Sequence, residues 1–75
     1  MTANEARRLL DIIGITAVAA LRQELCDDYC DAVCRRTDCE EPTTTREPDA
    51  ERNYCEACGG NTVIAAPQLA LRVIA

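Results

Sequence analysis

Tyr54-Cys55-Glu56-Ala57-Cys58-Gly59-Gly60 is the stretch that decides how this chain is read. Two thiolates two residues apart can grip one metal ion from a tight turn whose backbone N–H groups face the sulfurs. The residue after the second cysteine must take an unusual backbone angle, and Gly59 suits that place. Two thiolates are half of a closed site, because tetrahedral zinc takes four ligands.

Working outward, Cys34-Arg35-Arg36-Thr37-Asp38-Cys39 offers a second pair at a spacing within the usual range for such ligands. Zinc held by Cys34, Cys39, Cys55 and Cys58 is the expected arrangement. A rival first pair is Cys30 with Cys34. Cys26, Cys30 and Cys34 recur every four residues and would form a stripe on a helix. A cysteine left outside the site reads as a small buried apolar side chain. Arg35 and Arg36 either offset the negative charge of a four-thiolate zinc centre or sit at a helix end, favoured by its dipole.

The rest of the chain explains why a staple is needed. It has 75 residues, enough for one domain at most, with no Phe, no Trp and only Tyr29 and Tyr54 as aromatics. Between Asp27 and Cys58 the single aliphatic side chain larger than Ala is Val33. A segment so poor in apolar groups holds its shape through disulfides or a metal. Disulfides are the expectation for a secreted protein, so the N-terminus matters. Arg7 and Arg8 precede an apolar run over residues 12–21 that imitates a signal peptide, but Glu5, Asp11 and the shortness of the run count against one. The expectation is a cytoplasmic protein with reduced thiols; a secreted, disulfide-stapled effector or inhibitor is the alternative. No run is long enough to span a membrane.

Charge narrows the partners. The net charge is −5, and every positive side chain is Arg. From Asp27 to Glu56 ten acids face four arginines. Such a surface repels phosphate backbones, which argues against nucleic acid. A DNA-binding accessory factor is therefore a third-ranked reading. With no His, no Gly-rich phosphate loop and no convergent acid–base pair, no catalytic residue is expected.

Residues 4–33 read as one amphipathic helix. Thr2 and Glu5 have capping-box spacing, and Leu10, Ala17, Val18, Leu21, Leu25, Tyr29 and Ala32 share a face. Leu9, Ile12, Ile13 and Ile15 widen that apolar surface. It asks for a further neighbour, either the C-terminal segment or, through self-association, a second copy. Residues 35–53, rich in Thr, Pro and acids, read as a surface loop, with a helical turn allowed after Pro48. Thr62-Val63-Ile64 favour a strand. Beyond Pro67, the alternation of Leu69, Leu71 and Val73 points to a second strand rather than a short helix. The expected fold is a small α+β metal-stabilised domain: a long N-terminal helix in residues 1–34, a loop, and a zinc-knuckle segment with short strands in residues 35–75. The whole forms a single folding unit.

From Tyr54 to Val63 the sequence resembles the knuckles of the rubredoxin-like and zinc-ribbon families. The knuckle followed by Asn61-Thr62-Val63 and a short apolar tail is also similar to small Cys-rich proteins of tailed bacteriophages. The similarity covers about the last twenty residues. It departs in the first pair, where ribbons repeat a two-residue spacing and this chain has four residues between Cys34 and Cys39. The resemblance implies a structural zinc module and, through the phage likeness, an accessory or host-interacting role. Partners are expected to be proteins, engaged through the helix face or the acidic loop.

Overall fold

In the computed structural model, which describes residues 1–23 and 29–74, Thr2 opens the first helix. Its hydroxyl accepts the Glu5 N–H at 3.1 Å and lies 3.3 Å from the Glu5 carboxylate, so Thr2 caps α1 (Ala3–Ile13) as its spacing with Glu5 predicts. α1 stops at Gly14, whose φ of +87° is left-handed and whose N–H donates to the Leu10 carbonyl at 2.9 Å. A side chain there would meet no steric obstacle, so the backbone angle alone demands glycine. Thr16 then starts α2 (Ala17–Gln23), accepting the Ala19 N–H at 3.1 Å.

The single long helix expected over residues 4–33 is therefore two helices and a strand. β1 (Cys30–Cys34) occupies what the four-residue cysteine spacing marked as helix. Its pairing on both sides is tertiary and leaves no signature in a five-residue window. Gln23 at the end of α2 fixes the start of β1 by accepting the Asp31 N–H at 3.0 Å and donating to the Asp31 carboxylate at 2.7 Å. Leu25 and Cys26 lie outside the described residues.

The expected loop over residues 35–53 also contains structure. β2 (Pro42–Arg46) pairs antiparallel with β1, with Val33 opposite Pro42 and Ala32 opposite Thr43. Pro42 is tolerated because it begins an edge strand, where a ladder can lack one N–H. The threonines after it are strong strand formers. After Pro48 the chain makes a turn closed by the Ala50 N–H on the Glu47 carbonyl, not a helix. β3 (Asn53–Tyr54) and β4 (Asn61–Ala65) follow, and the sheet order is β2-β1-β4-β3, antiparallel throughout. Two hairpins thus lie side by side with β1 and β4 at the centre.

β4 runs directly into α3 (Ala66–Ile74), where a second strand was expected. Pro67 is the second helical residue, a place where its missing N–H costs no helical bond. Ala66, Leu69 and Ala70 are buried and Val73 partly so, a helical rhythm that the small alanines hide in the sequence. The Gln68 amide donates to the Pro48 carbonyl at 3.2 Å, and Arg72 reaches Glu51 at 3.0 Å, tying α3 to the turn before β3.

Among the described residues the result is α+β, with three helices on one face of a four-stranded sheet. Val33 and Ile64 point into a core built with Leu9, Leu10, Ala20, Leu69 and Ala70. The opposite face carries Ala32, Cys34 and Val63, with Cys55 packed against them. The sulfur cluster sits there.

Candidate metal centre

Each hairpin delivers two cysteines. Cys34 ends β1, and Cys39 lies in the turn that leads to β2. Cys55 follows β3, and Cys58 lies in the turn that leads to β4. Because β1 and β4 are neighbours, with Cys34 opposite Val63, the two turns meet at one end of the sheet. The sulfurs of Cys34, Cys39, Cys55 and Cys58 all lie within 4.8 Å of one another. Cys34 to Cys58 and Cys39 to Cys55, both across the hairpins, are 3.7 Å. A tetrahedron of thiolates with metal–sulfur bonds near 2.3 Å has edges of about 3.8 Å. Four thiols at that spacing, with Cys34 and Cys55 buried and Cys39 and Cys58 half-buried, can hold a metal ion.

The two turns are built alike despite their different lengths. The N–H of the first cysteine donates to the carbonyl two residues beyond the second: Cys55 to Gly60 at 2.7 Å, Cys34 to Glu41 at 3.0 Å. The residue after the second cysteine is left-handed in both, Gly59 at φ +78° and Glu40 at φ +52°. The two extra residues of the first turn are absorbed by bonds from the Cys39 and Glu40 N–H groups to the Arg36 carbonyl. Glu40 has no glycine's freedom, and an L-residue pays roughly 1–2 kcal/mol in this region. Its side chain is held by an ion pair with Arg8 of α1.

Polar groups converge on the sulfurs. The Gly60 N–H bonds Cys58, and with the Thr62 hydroxyl it lowers the Cys58 thiol to about 6. The Glu41 N–H bonds Cys39 and favours its thiolate, but burial and the three neighbouring thiols outweigh it and push Cys39 up to about 12. The surroundings thus favour the thiolate at Cys58 and the thiol at Cys39. Thr62 Oγ1 lies 2.9 Å from Cys34 Sγ and 3.7 Å from Cys58 Sγ.

Arg36 pairs with Asp38 at 2.8 Å and also lies against Cys58, so both negative groups hold its guanidinium more firmly protonated. It stands where a charge on sulfur would be offset. Arg35 contributes through its backbone, donating to the Thr62 carbonyl at 2.8 Å. Neither is at a helix end, since a strand precedes them.

Cys30, the rival ligand, is elsewhere. It lies on the same side of β1 as Cys34 but four residues back, about 13 Å along a strand. It is buried with Ala50 and Ala65. Two groups beside the sulfurs escaped the sequence reading, Thr62 and the Glu40-Glu41 backbone. Their one signal is position: Glu41 stands two residues after Cys39, as Gly60 stands two after Cys58. No described helix is long and apolar enough to cross a membrane. No protein-family model matches the chain, and comparison with curated proteins and with solved structures finds no similar protein.

Proposed function

We propose that this chain is a structural-zinc module whose four thiolates, Cys34, Cys39, Cys55 and Cys58, lock two hairpins together so that the helical layer and the acidic turns can engage a protein partner. The observation that carries the metal is the mutual approach of the four sulfurs within 4.8 Å, from two turns of matching backbone geometry. Zinc fits the donor set, since it accepts tetrahedral thiolate ligation without redox chemistry. The site is closed by protein, as structural sites are, and Arg36 moderates its negative charge.

The reading of a protein partner rests on surface chemistry. Ile12, Val18, Leu71 and Ile74 are exposed on the three helices, and the net charge of −5 opposes nucleic acid. Kinship with zinc-ribbon proteins remains part of this proposal, supported by the paired turns.

The test is metal analysis of protein purified under reducing conditions without added metal, with thiol counting before and after chelation. Near one zinc per chain, with four thiols that become reactive when it is removed, supports the module. Iron in place of zinc would keep the four-thiolate centre and overturn the choice of metal. Absence of metal together with oxidised cysteines would overturn the module in favour of a disulfide-stapled protein.

A further inference from the structure

We propose that Thr62 is a positioning residue of the metal centre, its hydroxyl hydrogen-bonding the Cys34 sulfur at the seam where the two hairpins meet. The inference rests on the four-thiolate reading above. Thr62 Oγ1 is 2.9 Å from Cys34 Sγ, against 3.7 Å from Cys58 Sγ. A hydroxyl has one proton to give: in the metal-free chain both Cys34 and Cys58 lie within its reach, but once both are metal-bound thiolates, which can only accept, the shorter separation makes Cys34 the acceptor.

The backbone fixes this placement. Thr62 precedes Val63, the partner of Cys34 across the β1–β4 ladder, and its carbonyl accepts the Arg35 N–H at 2.8 Å. Gly60 supplies a second, independent observation. A Cβ at Gly60 would stand 3.3 Å from Thr62 Cγ2, 3.5 Å from Thr62 Oγ1 and 3.8 Å from Cys58 Sγ. Gly60 has no positive φ to explain its identity, unlike Gly59. Its missing side chain leaves room for the threonine beside the sulfurs. The second cysteine of each turn receives a backbone N–H, Cys39 from Glu41 and Cys58 from Gly60. Cys34 opens its turn, and Thr62 brings it a donor from the other hairpin. Such partners orient ligands and stabilise their charged form, and their loss commonly costs about 10- to 100-fold in metal affinity.

Cobalt(II) titration of the full chain tests this, because cobalt(II) reports on tetrahedral thiolate sites by its visible spectrum. T62V removes the hydroxyl, keeps the shape and suits a strand; T62S keeps the hydroxyl. The expected result is about 10- to 100-fold weaker cobalt binding in T62V. Its thiolate-to-cobalt charge-transfer band should move to lower energy, while T62S stays near the parent in both. A merely structural threonine would leave the band in place. Equal affinity and an unchanged band in T62V overturn the inference, as does equal weakening of T62V and T62S. Should T62V not fold, T62S against T62A gives the same contrast of hydroxyl against none. Failure of the parent chain to bind cobalt at all would count instead against the four-thiolate reading.

Discussion

The two faces of the sheet are held in different ways. Towards the helices, Val33 and Ile64 meet Leu9, Leu10 and Leu69, with alanines filling the gaps. Towards the turns, the largest buried side chain is Val63, among Ala32, Cys34 and Cys55, with Cys30, Ala50 and Ala65 further along. Apolar burial contributes about 0.8 kcal/mol per methylene, so a face of alanines and cysteines gains little from it. One sheet therefore has leucine packing above and, below, a cluster of sulfurs that could hold a metal ion. Among the described residues, the buried leucines and the buried isoleucine all lie on the helix side.

The comparison breaks most visibly if the metal is taken away. Chelation, or Cys55→Ser, should remove stabilisation on the order of 10 kcal/mol, more than a small domain holds in reserve. Thermal melting with and without chelator should show loss of the cooperative transition, and amide exchange should rise first in residues 34–41 and 53–60. An unchanged melt in protein verified to be metal-free would sink the assignment.

Acid should act on the same face. The Cys58 value of about 6 is below its ordinary 9.0, so the folded chain favours the thiolate there. That contribution is fully present above pH 9 and lost as pH falls through about 6. Cys39, pushed up to about 12 from 9.0, has the opposite sign and favours the thiol below pH 9. A metal must displace the Cys39 proton, and acid returns protons to the site. Zinc release followed with a chromogenic indicator should therefore grow as the pH is lowered from neutral. Release already complete at neutral pH would contradict the arrangement.

On the other face, Leu69→Ala should cost about 2–5 kcal/mol in denaturant unfolding while leaving metal stoichiometry at its parent value. A finer contrast uses Gly14 and Gly59. Both are left-handed, and at both an added Cβ meets nothing within 4 Å. Alanine at either should cost about 1–2 kcal/mol. Metal affinity should fall for Gly59→Ala alone, measured by competition with a zinc indicator; a matching fall for Gly14→Ala would mean the two faces are coupled.

The approach of the four cysteines was legible because identity and spacing carry that chemistry. So were the Thr2 cap and the strand at Thr62-Val63-Ile64, which rest on local propensity. The helix break was not legible, because a lone glycine within an apolar helical pattern shows its left-handed angle, as Gly14 does, only in the folded chain. β1 and β2 depended on pairing between distant residues, and the Thr-Pro composition of β2 looked like loop. α3 was hidden because Ala66 and Ala70 do the packing while Leu69, Leu71 and Val73 happen to alternate. The donors to sulfur stayed out of reach because Thr62 and Glu41 are common residues, the one placed by the register of β4 against β1 and the other by the path of the first turn.

The sheet order β2-β1-β4-β3 has a consequence for how the chain matures. The middle of the sheet is a seam between an early strand and a late one, and the same seam unites the sulfur pairs. A nascent polypeptide that has exposed residues 34–39 owns half a coordination sphere and none of its central ladder. The last sulfur, at Cys58, and the last β4 partner of β1, at Ala65, both come late in the chain, so neither the sulfur cluster nor the seam can close before the second hairpin has been made.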